Sequence, residues 1–370
     1  MDSVETSAEA AICADYIDRA EDEADFESVS PEILARSAIF VVEGFEERSV
    51  GILESIARRR LKAEKVVIAQ YTGTNRANAK YRNRFNAAAN AVGHTRSQRV
   101  QTSNDGGWIE EALQASDPES IIIDITGISN RALFGVLDAL AQSRRNISVA
   151  YTEAGQYWPT HDEWEELRKE LSSDDDLSDV MDAKPWLFGY EHKCELIPGH
   201  EGYDSAGTSR AMLAFLPFKA ARLAAVLGQE EYSSFLFIAG RPRLSENAWR
   251  VDALKAINAN LIVKGELVEM DTFGYRHALE QLTYVLFSKP GLLKNYDVHM
   301  ASMGSKLQEV ACWVLSTIVP SLTVLTAVPA HYYAAAFSSG IGARWIFPLL
   351  MPYSHAVRSS PVTPCAHTQS

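Results

Sequence analysis

The cysteines that would mark a small disulfide-bonded or zinc-binding protein are scarce in this sequence. Only four occur in 370 residues, they lie far apart, and no two form a C-x-x-C pair; they are Cys13, Cys194, Cys312 and Cys365. None lies at ligand spacing from a histidine. The spacing therefore argues against a disulfide framework and against a zinc site. We predict no metal site, and no cofactor other than a nucleotide ligand.

Positive charge is also in short supply. The chain has 35 Lys and Arg residues against 48 Asp and Glu, a formal net charge of −13. Proteins that coat nucleic acids usually carry the opposite sign, because neutralised phosphates supply most of their non-specific affinity. We therefore predict no generic DNA binding.

Long apolar runs are missing as well. The most apolar passage, residues 309–329, is interrupted by Pro320 and Ser321, and neither part could span about 30 Å of hydrocarbon. We predict a buried helix followed by a buried strand, and no membrane partner. The acidic N-terminus lacks the basic-then-apolar order of a secretory signal, so a cytoplasmic location is expected.

An alternation of apolar and amphipathic segments dominates the rest of the chain. Short runs rich in Val and Ile alternate with helical patterns, which is typical of α/β proteins with parallel sheets. The predicted strands cover 38–44, 65–71, 97–102, 120–126 and 147–153, and then 211–218, 234–240, 265–272, 297–303 and 322–329.

The two sets of five strands have nearly constant offsets. Phe45 and Phe218 are 173 residues apart, and Gly127 and Gly304 are 177 apart. We predict an internal duplication of one Rossmann-like unit, packed as a pseudo-dimer. The predicted organisation is an acidic helical lead-in at 1–36, a first unit at 37–160, an acidic linker at 161–209, a second unit at 210–350 and a flexible tail at 351–370.

The loops that follow the strands carry the candidate chemistry, because ligands bind outside the carboxyl ends of parallel strands. Glycine turns, hydroxyls and cations at helix starts suit an anionic ligand. The strongest single phosphate candidate is the glycine, serine and lysine run at 304–306. The predicted ligand-binding residues are Gly44, Arg48, Ser49, Thr72, Thr74, Asn75, Arg76, Thr126, Ser129, Asn130, Arg241, Gly304, Ser305 and Lys306.

The sequence contains few features that are typical of an enzyme active site. The sequence has no Walker motif, no G-x-S-x-G elbow and no H-E-x-x-H motif. If the protein is an enzyme, Asp124 or Glu43 would be its general base. Asp124 lies in an apolar strand, so it either faces a wet cleft or holds loop amides.

The loops "EGFEERS", "YTGTNRAN", "DITGISNR" and "SMGSKLQ" around a tandem Rossmann-like pair resemble the CRISPR-associated Rossmann-fold (CARF) and SAVED sensor domains. Those families bind cyclic or linear oligonucleotide second messengers in bacterial immunity. The resemblance covers residues 37–160 and 210–350, and implies a messenger lying across the pseudo-two-fold axis. No R-x-x-x-x-H ribonuclease box follows the second unit, so the resemblance implies that the output comes from a separate effector or complex-partner protein or from the cleft itself.

Three functions remain open from the sequence. The first is a nucleotide-sensing protein of an antiphage defence system, with Arg48 and Asn75 meeting Lys306 and Arg241 across one cleft. The second is a nucleotide-processing hydrolase or transferase. The third is a non-catalytic scaffold subunit of a defence complex.

Overall fold

The computed structural model describes residues 7–71, 79–93, 98–101, 105–113, 118–143, 145–171, 192–203, 205, 207–289, 291–329 and 337–352. In these residues the strands are β1 Ala24–Asp25, β2 Ser37–Val42, β3 Lys65–Gln70, β4 Gln98–Gln101, β5 Ser120–Asp124, β6 Asn146–Thr152, β7 Gln156–Tyr157, β8 His192–Leu196, β9 Ser209–Phe215, β10 Ser234–Arg241, β11 Glu266–Asp271, β12 Tyr296–Ala301, β13 Thr323–Pro329, β14 Ser338–Ser339 and β15 Arg344–Pro348. The helices are α1 Ala8–Arg19, α2 Pro31–Ala35, α3 Gly51–Arg58, α4 Arg82–Val92, α5 Gly107–Leu113, α6 Asn130–Ala141, α7 His161–Leu171, α8 Ala220–Leu227, α9 Trp249–Ile257, α10 Ala259–Ile262, α11 Tyr275–Phe287, α12 Leu292–Asn295 and α13 Lys306–Ile318.

The first sheet has parallel strands in the order β4-β3-β2-β5-β6. Its central strand β2 reads SAIFVV, and all six residues are buried. A strand that is apolar on both faces must be covered on both faces, which is how parallel sheets are built. The second sheet repeats the order as β11-β10-β9-β12-β13. The α/β class and the two Rossmann-like units predicted from the sequence are therefore confirmed.

The register of the two sheets is also the same. Val41 pairs with Asp124 on the neighbouring strand, and 173 residues later Ala214 pairs with Ala301. Asp124 in turn pairs with Ala150, and Ala301 pairs with Leu325. Positions in one unit can therefore be compared directly with positions in the other.

Each sheet is extended by an antiparallel strand beyond its fifth parallel strand. β8 follows the first unit along the chain but pairs with β13 of the second. β15 follows the second unit but pairs with β6 of the first. The two pairings coincide in register, since Leu196 lies opposite Leu325 and Ile346 opposite Ala150. The units therefore exchange their sixth strands, and neither exchanged strand is predicted from the sequence.

One hydrophobic core runs through both units. It contains Phe40 and Ile123 of the first sheet, Leu213 of the second, and Trp313 of α13, all of them buried. The helix and strand predicted for 309–329 are α13 and β13. No helix among the described residues has both the length and the apolar character needed to cross a membrane.

Candidate functional site

A cavity of about 1100 Å³ lies where the carboxyl ends of the two parallel sheets face each other. Its wall is formed by strand-end loops of the first unit, such as 126–131, and of the second unit, such as 303–306. Ligand sites for drug-sized molecules occupy about 300–1000 Å³. The cavity is therefore large enough for a ligand with several groups.

Most of the predicted ligand-binding residues that the structure describes line this cavity. They are Gly44, Arg48, Thr126, Ser129, Asn130, Gly304, Ser305 and Lys306. Two others lie elsewhere: Ser49 is buried and its hydroxyl donates to the Glu46 carbonyl oxygen at 2.6 Å, while Arg241 pairs with Asp271 at 2.7 Å. The remaining four, Thr72, Thr74, Asn75 and Arg76, lie outside the described residues.

Glycine lets the loops after β2 and β5 approach each other closely. A Cβ atom on Gly127 would lie 2.4 Å from the Val42 carbonyl oxygen, so no larger residue fits there without a shift of the backbone. The Gly127 Cα in turn lies 3.3 Å from the position of a Cβ on Gly44. This contact brings Arg48 and Ser129 to the same edge of the sheet.

Arg48 is buried against the cavity wall and is held by the protein itself. Its guanidinium donates to Glu46 at 3.1 Å, to the Tyr151 hydroxyl at 2.8 Å and to the Thr152 carbonyl oxygen at 3.2 Å. Burial by itself would lower the pKa of Arg48, but the Glu46 carboxylate raises it well above its ordinary value. The anionic partner that the sequence assigns to a ligand is thus supplied by Glu46.

The two units are joined at the floor of the cavity by polar side chains at two helix starts. Ser129 caps α6 and Ser305 caps α13, and the residue after each cap reaches across the interface. The Lys306 Nζ donates to Asn130 Oδ1 at 2.6 Å, and Asn130 Nδ2 donates to Glu309 Oε1 at 2.8 Å. Burial lowers the pKa of Lys306 and raises that of Glu309.

The two carboxylates named as general bases do not line the cavity. Asp124 is 1% exposed, and its Oδ1 accepts from the Thr126 backbone N–H at 2.9 Å. Glu43 is also 1% exposed and accepts from Arg82 and from Gln70, each at 2.8 Å. Asp124 therefore holds a loop amide, which is the structural alternative that the sequence left open.

Cations outnumber acids around the cavity although the chain as a whole is acidic. Among the described lining residues seven are Lys or Arg and three are Glu. The cations are Arg48, Arg131, Lys219, Arg222, Arg243, Arg250 and Lys306, and the acids are Glu46, Glu153 and Glu246. Such a concentration of one sign in a concave, partly apolar site raises the local concentration of ligands of the other sign.

Lys219 and Arg250 are the cavity cations that the sequence did not single out. The Lys219 Nζ lies 3.7 Å from the centre of the Phe337 ring, and burial lowers its pKa to about 8. The Arg250 guanidinium lies 4.3 Å from the Phe218 ring and donates to the carbonyl oxygens of Trp158 and Pro159. Burial lowers the pKa of Arg250 to about 10.

No protein-family model matches the chain, and no curated protein sequence matches it. Among solved structures it is similar to a Type III CRISPR defence DNA nuclease activated by cyclic oligoadenylate, with 10% identity over 75% of this chain and a TM-score of 0.46. The chain spans 64% of that nuclease. At 8% identity it is similar to Enterococcus italicus Csm6 bound to cyclic hexa-2'-fluoro-hexa-dAMP, over 40% of this chain and 44% of that one, with a TM-score of 0.26. A functionally unknown protein of Pseudomonas aeruginosa PAO1 is 12% identical over 80% of this chain and 94% of its own, with a TM-score of 0.24. These likenesses concern the fold.

The cations missed from the sequence have different local signals. Lys219 directly precedes α8 in a strand-to-helix loop, the same context that singled out Lys306, so it could have been identified. Arg250 lies inside α9, within the pattern WRVDALKAI, and only the tertiary structure brings it to the cavity. No three His, Cys, Asp or Glu side chains of the described segments are grouped so that they could hold a metal ion.

Proposed function

We propose that this protein binds a phosphorylated nucleotide in the cavity between its two Rossmann-like units, and that binding serves as a signal. The observation that carries the proposal is the excess of seven Lys and Arg over three Glu around one cavity, in a chain with a net charge of −13. Arg and Lys bind phosphate groups through charge-assisted hydrogen bonds.

The aromatic lining of the cavity fits the rest of a nucleotide. Tyr157, Trp158, Phe218, Trp249 and Phe337 all contribute to the wall. Bases stack on aromatic rings and on guanidinium planes, and each such contact is worth about 1–3 kcal/mol in single-stranded complexes. A site with cations beside aromatic rings suits a nucleotide better than an isolated phosphate ion.

The two carboxylates that the sequence offers as general bases do not support turnover. A general base must come within about 3 Å of the proton that it removes, and neither Asp124 nor Glu43 lines the cavity. The resemblance of the sequence to CARF and SAVED domains is our reason for proposing an oligonucleotide messenger and a role in antiphage defence. In this proposal a separate effector protein carries the output.

A thermal-unfolding screen tests the proposal. Mononucleotides, linear oligonucleotides and cyclic oligonucleotides are added to the full-length protein at millimolar concentration. A ligand present at 100 times its Kd is expected to raise the free energy of unfolding by about 2.7 kcal/mol, because it binds only the folded state. If no member of the panel changes the melting temperature, the proposal is wrong.

Two variants connect the effect to the cavity. Lys306→Gln removes a cavity cation but keeps a side chain that can bond to Asn130, so the fold is expected to persist while the stabilisation by ligand is lost. Lys255→Gln is the matched control, because Lys255 pairs with Glu269 at 2.7 Å and does not line the cavity. Equal losses in both variants would contradict binding at this site.

A further inference from the structure

The two walls of the cavity differ in charge at positions that correspond between the units. In the loops after β2 and β9, the offset of 173 residues makes Lys219 the position that corresponds to Glu46. In the loops after β5 and β12, the residue that follows the serine cap is Asn130 in the first unit and Lys306 in the second. At both pairs of positions the second unit carries the cation.

The two lysines of the second unit form no direct ion pair with a described carboxylate, although carboxylates lie near both. No carboxylate oxygen of the described residues lies within 4.0 Å of the Nζ of Lys219 or Lys306. The partner of Lys219 is the ring of Phe337, and the partner of Lys306 is the neutral amide of Asn130. Burial lowers the pKa of both amines. Glu309 and Glu46 raise the pKa of Lys306, and Glu46 raises that of Lys219, but burial outweighs them.

Arg250 adds a third cation to the same side. Its described partners are two backbone carbonyl oxygens and the rings of Phe218, Trp249 and Tyr157, and no described carboxylate forms an ion pair with it. A partly buried charge without a counter-ion is costly, and a bound anion would remove that cost. Phe218 directly precedes Lys219, so Arg250 belongs to the same wall.

The described cations on the wall of the first unit already have partners within the protein, so this wall offers no site for an anion. Of these two cations, Arg48 is 8% exposed and already bonded to Glu46, Tyr151 and Thr152, and Arg131 pairs with Glu195. Glu46 also accepts a hydrogen bond from the Ser338 hydroxyl. Burial would raise the pKa of Glu46, but the charge of Arg48 and the Ser338 bond lower it, so Glu46 remains an anion.

We propose that the cavity takes an asymmetric ligand: a linear nucleotide with a terminal phosphate, held by Lys219, Lys306 and Arg250, with its ribose hydroxyls toward Glu46. A ring with two-fold symmetry would present equal phosphates to both walls, and one of them would meet the carboxylate. This inference rests on the proposed function and adds the symmetry of the ligand.

Pairs of oligonucleotides, one linear and one cyclic, test the inference. Linear 5'-phosphorylated oligoadenylates and oligoguanylates are compared with the cyclic compounds of the same length, which contain the same bases and the same number of phosphorus atoms. Isothermal titration calorimetry with the full-length protein measures the Kd of the linear ligand and that of the cyclic ligand. The linear member is expected to bind at least about tenfold more tightly, since one charge-assisted contact is worth about 1.5–3 kcal/mol. The linear compound without its terminal phosphate is expected to lose that advantage.

Substitutions on each wall test which residues cause the preference for the linear ligand. Lys219→Gln is expected to weaken binding of the linear ligand about tenfold, whereas Lys255→Gln leaves it unchanged. Glu46→Gln is expected to narrow the difference between linear and cyclic ligands, with the melting temperature of the free variant recorded to show that it folds. If the cyclic member binds as tightly as the linear one or more tightly, the inference is overturned and the proposed function stands. If no nucleotide of either kind binds, the proposed function itself is wrong.

Discussion

The carboxyl group of Asp124 has a different role in the folded protein from the catalytic one considered from the sequence. Asp124 lies at the end of β5, and its Oδ2 is buried with no hydrogen-bond partner in the described structure. Burial raises its pKa to about 7, although the hydrogen bonds to Thr126 and the charge of Arg48 act in the opposite direction. An aspartate in an apolar strand therefore costs stability here, because it serves one loop amide and remains incompletely satisfied.

This cost predicts the pH dependence of stability. The pKa is about 7 in the folded state and about 3.9 in the unfolded state, so between these values the folded state holds more protons. The free energy of unfolding should therefore fall as the pH rises from about 4 to about 7. Asp124→Asn should remove this contribution and raise the free energy of unfolding at pH 8 by up to about 4 kcal/mol, because about three pKa units separate the two states.

Urea denaturation of the parent and variant across this pH range measures the difference. Asp15→Asn is the control, because Asp15 is exposed, pairs with Arg19 within one helix, and should change stability by less than about 0.5 kcal/mol. If Asp124→Asn is less stable than the parent at pH 8, the buried carboxylate stabilises the fold and the predicted cost is wrong.

At the scale of elements, β15 ties the two units together through both its backbone and its side chains. It pairs with β6 of the first unit, while Phe347 packs against the rings of Phe273 and Tyr275 in the second. Phe347 is 1% exposed. Loss of this side chain would leave a cavity between the exchanged strand and α11.

Phe347→Ala is expected to lower the free energy of unfolding by about 3 kcal/mol, the usual cost of removing a buried phenylalanine. Chemical denaturation followed by tryptophan fluorescence measures it. Val263→Ala is the matched apolar control, because Val263 is 81% exposed and should change stability little. A loss below about 1 kcal/mol for Phe347→Ala would mean that β15 is not part of the packed core.

The elements that could be predicted are those with a strong local pattern. Val- and Ile-rich strands such as β2 and β5 are buried on both faces, so their composition identifies them wherever they pair. β8, with the sequence HKCEL, has neither an apolar run nor a clean alternation, and its partner lies more than 120 residues away. A strand of that kind is specified by the edge it covers, which belongs to the other unit.

The same distinction applies to the candidate site. Arg48, Ser129 and Lys306 could be selected because the carboxyl ends of parallel strands converge on one edge. The sequence could not show that Arg48 is already occupied by Glu46, since that depends on side-chain geometry. Nor could it show that Arg250, from the interior of a helix, reaches the same cavity.

At the scale of the whole molecule, the exchange of sixth strands makes each unit depend on the other. β8 follows the first unit along the chain and completes the second sheet, whereas β15 follows the parallel strands of the second unit and completes the first sheet. The polar contact between Asn130 and Lys306 and the shared core add to this interface. The covalent connection between the units should therefore matter less than the exchanged strands.

Cleavage at two places tests this dependence. A protease site after Asp204 leaves β8 with the first fragment and β15 with the second, so both exchanged strands join the fragments. A site after residue 180 leaves β8 on the second fragment, so only β15 does. Both pairs of fragments are expected to co-elute in size-exclusion chromatography, because the shared core is intact in both. The pair cut after Asp204 should separate at a higher urea concentration, because two strand pairings must be broken rather than one. If the fragments separate in native buffer, or if the order of the two urea midpoints is reversed, the exchanged strands do not hold the units together.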